Sequence, residues 1–194
     1  MAGPGAYEAI VRSRMTENHL MTNRVDGGAL VVRVGGTIRI ELLRLLRDTG
    51  IGLNTHAETL LAHPAFDDPG HRTLRIVRRT VGQLGMGNGG VQPEVFATAR
   101  RQGLELCPLV TGPYLRLALM DQADAPDSVL SAGRAPAGAL HIASEPVSED
   151  VEYPKGFYLR VVDGRHWLRG YRCDDTYVLT PEQEFAFHSP EDDG

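Results

Sequence analysis

The side chains best suited to chemistry cluster in one stretch, Gly156-Phe-Tyr-Leu-Arg-Val-Val-Asp-Gly-Arg-His-Trp-Leu-Arg-Gly-Tyr171. At its centre, Asp163-Gly164 suits a two-residue type I′ turn, because both central positions of that turn need positive φ. The flanking runs are therefore expected to pair as an antiparallel hairpin. The turn sets the register: Val162 opposes Arg165, Val161 opposes His166, Arg160 opposes Trp167, Leu159 opposes Leu168, and Tyr158 opposes Arg169. Opposed residues share a face. One face then collects Phe157, Leu159, Val161 and Leu168, which suit a core. The other collects Tyr158, Arg160, Trp167, Arg169 and Tyr171. Guanidinium groups interleaved with rings can hold an anionic or planar group through bidentate hydrogen bonds and stacking. If neighbouring strands keep their apolar residues inward, Tyr114, Arg116 and His141 join this surface. The competing reading is architectural, since cross-strand Arg–aromatic pairs stabilise a solvated sheet face by roughly 0.2 to 1 kcal/mol each.

Other motifs are weaker. Gly85-Met-Gly87-Asn-Gly-Gly90 fits G-x-G-x-x-G, and Glu105 stands where a ribose-binding acid would be. However, the next helix begins near Pro93 rather than inside the glycine run, and the chain after Cys107 alternates as antiparallel strand instead of supplying further βαβ units. A turn is the expected reading, with no cofactor. His56, His63, Asp67, Asp68 and His71 are the densest set of potential metal ligands, but neither H-E-x-x-H nor C-x-x-C occurs, and the two Asp before Pro69-Gly70 suit an Asx turn. No metal is expected. His166 falls on the apolar face of the hairpin, as a rim or satisfied histidine. Cys107, between a helix terminator and Pro108, reads as a buried small hydrophobe or as a nucleophile. Neither G-x-S-x-G, S-x-x-K nor G-x-x-x-x-G-K-[ST] occurs, which argues against the common serine hydrolases and P-loop enzymes.

These residues need a frame to hold them. The chain has 194 residues, 42% hydrophobic and 23% charged, a composition that suits one globular core. Its mean hydropathy of −0.22 and short apolar runs argue against a membrane span. Met1 to Gly5 lacks the basic start of a secretory signal, so a cytoplasmic setting is expected. Two cysteines, Cys107 and Cys173, cannot make a disulfide framework or a structural zinc site alone. Of the 20 basic residues all but Lys155 are Arg, and the charge is asymmetric: residues 1–106 balance at +3 and the remainder at −8. With a pI near 5.8, the strongly basic footprint of a nucleic-acid partner is missing.

Along the chain, residues 1–36 read as a partly mobile N-terminal segment containing a short helix at Ala6 to Met15 and a strand at Ala29 to Val34. Thr37 is placed to cap a helix carrying Ile38, Leu42, Leu45 and Leu46 on one face, with Gly50 as its terminator. Thr55 and Glu58 have capping-box spacing for a second helix. Thr73 to Val81 reads as a strand, and Pro93 opens a helix that ends at Gly103. After Cys107 everything reads as sheet: Leu115, Leu117 and Leu119, then Leu140 and Ile142 beyond a loop from Gln122 to Gly138, and finally Phe185 and Phe187. The expected architecture is a single α+β domain over residues 37–188, with N-terminal helices packed on a mostly antiparallel C-terminal sheet of about five strands, and an acidic tail at 189–194.

At Gly103-Leu-Glu-Leu-Cys-Pro108, continuing to Gly112-Pro-Tyr-Leu-Arg-Leu117, and at Pro154-Lys-Gly-Phe-Tyr-Leu159 with Trp167-Leu-Arg-Gly-Tyr171, the chain resembles a family of small bacterial proteins with no established activity. The resemblance runs from about Ile40 to Phe187. Some members carry the label helicase, which the missing P-loop does not support here. The resemblance implies a shared fold and transfers no site.

The function expected is a cytoplasmic binding or accessory protein whose Arg–aromatic face, centred on Arg160, Trp167, Arg169 and Arg116, contacts an anionic or aromatic small molecule or a partner chain. The alternative is a small enzyme, of specialised metabolism, with a pocket between helices and sheet that draws on Cys107, His141 or Arg116. A third reading, a single-stranded nucleic-acid module, is weakened by the acidic C-terminal half.

Overall fold

The structure is a computed structural model, and it describes residues 24–26, 29–125, 138–174 and 176–190. In chain order the elements are β1 (Arg24–Asp26), β2 (Ala29–Gly35), α1 (Arg39–Asp48), β3 (Gly52–Leu53), α2 (Thr55–Leu61), β4 (His71–Thr80), β5 (Gly90–Val91), α3 (Gln92–Arg101), α4 (Thr111–Ala118), β6 (Leu140–Ile142), β7 (Gly156–Val162), β8 (Arg165–Tyr171), β9 (Val178–Leu179) and β10 (Glu184–His188). The expected Ala6–Met15 helix lies outside the described residues, as do parts of the Gln122–Gly138 loop and of the acidic tail.

One eight-stranded sheet has the order β1-β2-β4-β10-β6-β7-β8-β3, and β5 pairs with β9 separately. The β10–β6 and β8–β3 pairs are parallel and the rest antiparallel, so the sheet is mixed, and it curls into a half-barrel. The mostly antiparallel sheet of about five strands under N-terminal helices is thereby corrected. Both parallel pairs bring together strands far apart in the chain, as with Gly52 opposite Trp167, and no local pattern announces such a pairing. The helices are not confined to the first half either. Thr111–Ala118 is a helix rather than the strand suggested by Leu115, Leu117 and Leu119. Every residue from Thr111 to Arg116 is buried, so no polar face marks the helical period.

Elsewhere local chemistry explains the elements. α1 buries Leu42 and Leu46. It closes in a Schellman motif, in which Gly50 N–H donates to the Arg47 carbonyl (2.9 Å) and Ile51 N–H to the Leu46 carbonyl (3.0 Å). Its N-cap is Ile38 without a side-chain bond, and Thr37 is buried instead of capping. α2 is capped one residue before the expected Thr55, where Asn54 Oδ1 accepts from Ala57 N–H at 3.0 Å. In β4, Leu74 and Ile76 point inward.

Successive side chains of a strand point to opposite faces, and two cores result. Leu42, Leu46, Leu60, Leu115, Ile142, Phe157 and Leu168 belong to one, on the sheet face that also carries Ala186. Val95, Phe96 and Ala99 of α3 pack with Phe185 and Phe187 in the other. Because Ala186 stands between those two phenylalanines, the cores lie on opposite sides of the sheet. Burying side chains of this size contributes on the order of 1.5 to 3 kcal/mol each.

Candidate functional site

The hairpin forms as its turn dictates. Asp163 and Gly164 adopt φ of 52° and 70°, and the pairing runs Val162 with Arg165, Arg160 with Trp167, Tyr158 with Arg169 and Gly156 with Tyr171. The Arg–aromatic face therefore exists as a geometric fact, but its two strands differ in access. Every residue of β7 is buried, with Arg160 at 2% and Tyr158 at 8% exposure. On β8, Trp167, Arg169 and Tyr171 are half-buried and Arg165 is exposed.

The inner part of this face is an aromatic cluster around His141. Its ring stacks on Tyr158 at 5.4 Å, meets Tyr171 edge-on at 5.1 Å and lies 5.2 Å from Phe185. Burial pushes the His141 pKa down to about 4, with the Glu184 carbonyl acting in the opposite sense, so the imidazole is neutral at pH 7. Tyr171 Oη accepts from Gln92 Nε2 at 2.9 Å. Burial drives the phenol pKa upward, the neighbouring Cys173 adds to this, and the Gln92 bond opposes it. Gln92 Oε1 in turn accepts from the Cys173 thiol at 3.1 Å. The two Gln92 bonds fix α3 against the sheet, while His141 Nδ1 is buried without a hydrogen-bond partner.

The outer part is a stack. The guanidinium carbons of Arg165 and Arg169 lie over the Trp167 ring, 4.5 and 4.4 Å from its centroid. Arg169 Nε is shut from solvent with no hydrogen-bond partner. Among the described residues, neither arginine forms an ion pair. Sequence reasoning overlooked Arg165, although its position two residues before Trp167 places it on the same face. It also overlooked Gly52, which lies against the indole through the β3–β8 pairing and gives no sequence signal.

Tyr114 and Arg116 sit on α4 and not on this surface. Tyr114 is buried, which raises its pKa. Arg116 is fully buried: Nη1 donates to Gln122 Oε1 at 2.6 Å and Nη2 to the Leu119 carbonyl. Burial lowers the Arg116 pKa to about 10 against the pull of Asp121. Arg116 ties the end of α4 to Gln122, which reaches the Leu159 carbonyl of β7 at 3.2 Å; both contacts are architectural.

The residues invoked for an enzyme do not converge. A groove of about 590 Å³ lies where β10 ends, lined by Arg72, Leu74, Glu105, Cys107, Glu145 and His188, with neither His141 nor Arg116 in its wall. Burial pushes the Cys107 thiol up to about 12, which leaves it a protonated thiol rather than a nucleophile. The Gly85–Gly90 run leads into β5, which pairs with β9 and passes directly into α3. Among the histidines and carboxylates nearby, His63 Nδ1 accepts from Ala65 N–H at 3.1 Å, and Asp67 pairs with Arg39. Asp68 Oδ1 accepts from Gly70 N–H at 2.8 Å in the expected Asx turn. His166 Nε2 lies 2.9 Å from the Met120 carbonyl at the rim of the hairpin.

Among the described residues no helix is long and apolar enough to cross a membrane, and no group of three ligands is placed to hold a metal ion. Comparison with protein-family models, curated proteins and solved structures finds no match.

Proposed function

We propose that this is a binding protein whose site is the open side of β8, where Arg165, Trp167 and Arg169 take an anionic small molecule. The observation that carries this reading is the pair of guanidinium groups stacked on one indole with no carboxylate partner among the described residues. Stacking occupies the face of a guanidinium and leaves its in-plane N–H groups for acceptors. An anion meeting both groups therefore gains charge-assisted bonds to arginines that are already oriented. The ring itself is taken by the two guanidinium groups, which favours an anion over a stacking aromatic as the primary determinant. With only two cysteines in 194 residues the chain is not built as a disulfide scaffold, and we place the protein in the cytoplasm.

A thermal-shift screen of anionic metabolites, followed by calorimetry, tests the reading. The double variant Arg165→Ala/Arg169→Ala is expected to lose affinity for any hit at least tenfold. Unchanged affinity in that variant would place the site elsewhere.

A further inference from the structure

Resting on the β8 reading, the geometry points to a two-point clamp for a phosphorylated small molecule, with Gly52 as the residue that positions it. β3 runs parallel to β8 with Gly52 opposite Trp167. A Cβ built on Gly52 would lie 2.5 Å from Trp167 Cε3 and 2.7 Å from Cδ2 and Cζ3. The indole therefore rests directly on the Gly52 backbone, and only glycine leaves room for it. The φ of Gly52 is not in the left-handed region, so the requirement comes from the ring and not from the backbone. With the ring seated, the two guanidinium carbons stacked on it are at most about 9 Å apart, the two ring distances laid end to end.

Two guanidinium groups on one ring favour some anions over others. A carboxylate offers two oxygens in one plane and one negative charge, enough for a single guanidinium fork. A phosphoryl group offers three acceptor oxygens in a tetrahedral arrangement and about −1.5 to −2 charges at neutral pH, enough to serve two forks at once. Two like charges held this close repel one another, and a multivalent anion relieves that repulsion more fully than a monovalent one. A diphosphate extends the same chemistry over a longer span. The surface is three side chains wide, which matches a small ligand better than a polymer.

Trp167 is the only tryptophan in the chain, so tryptophan emission reports on this site alone. The wild-type protein is titrated with pyrophosphate, with inorganic phosphate and with succinate at constant ionic strength, read by fluorescence and calorimetry. Saturable binding of a phosphate probe at least tenfold tighter than succinate supports the clamp. Gly52→Ala, with far-ultraviolet circular dichroism unchanged, is expected to shift the Trp167 emission and weaken pyrophosphate at least fivefold. Arg165→Lys, an exposed change that keeps the charge and removes the fork, is expected to weaken it by a similar factor. Succinate binding as tightly as pyrophosphate overturns the phosphoryl preference and leaves the anion site standing. If neither binds, both readings fall. A folded Gly52→Ala protein with wild-type affinity and emission removes Gly52 from the site. Displacement of pyrophosphate by a labelled oligonucleotide at far lower concentration overturns the small-molecule assignment.

Discussion

β7 and β8 share one turn, one register and one alternation of ring and guanidinium, yet Arg160 is sealed while Arg169 keeps contact with solvent. The difference comes from their neighbours. β7 is an interior strand, flanked by β6 and β8, and both of its faces are covered. β8 lies next to the rim, and its outer neighbour β3 is two residues long. Residue type and turn geometry decide which face a side chain takes, whereas strand order decides whether that face meets solvent. An Arg–aromatic pattern on a hairpin is thus half architecture and half candidate site.

This contrast can be broken most forcefully from the β7 side. Phe157 packs edge-on against Phe66 at 6.3 Å and presses on the Gly112 backbone. Phe157→Ala should cost about 3 to 5 kcal/mol, read as a lower denaturant midpoint at constant m-value; a loss below about 1 kcal/mol would mean that β7 is not sealed. The next effect is pH-dependent. His141 has a pKa of about 4 in the fold against an ordinary 6.5, so between these values the unfolded chain binds a proton that the folded chain does not. Stability due to neutral His141 is full above pH 6.5 and falls as the pH drops towards 4, by about 3 kcal/mol in total. His141→Phe keeps a ring in the cluster and should flatten that part of the acid limb; parallel stability curves for the two proteins would show that His141 is not buried in its neutral form.

The hairpin turn is a smaller lever. Gly164→Ala forces a side chain onto a φ of 70° and should cost about 1 to 2 kcal/mol, measured by thermal or urea unfolding. Smallest of all, Arg165→Ala on the exposed side of β8 should change stability by less than about 1 kcal/mol while affecting ligand binding strongly. A large stability loss there would make the Arg–Trp stack structural and erase the contrast between the two strands.

What could be read from the sequence was what is local. Asp163-Gly164 specified the hairpin down to each opposed pair, and Gly50 and Gly103 marked the ends of α1 and α3. The parallel pairs of β3 with β8 and of β6 with β10 join distant segments through two- and three-residue contacts, too short to leave a period. α4 carries no helical period in its sequence because Thr111 to Arg116 are all buried, and the same burial hides the placement of Tyr114 and Arg116. Gly52 was invisible for a different reason, since its role is to be absent from the space the Trp167 ring fills.

The rim beside β8 is closed by a side chain once β3 ends. Asn54 Oδ1 accepts from Gly170 N–H at 2.8 Å, and Asn54 Nδ2 donates to the Gly170 carbonyl at 3.0 Å, so one amide imitates the strand that is missing there. The same Asn54 oxygen begins α2. Unzipping this border would therefore uncap a helix at the same moment, which makes the border resistant to fraying and a poor template for a foreign strand seeking backbone partners.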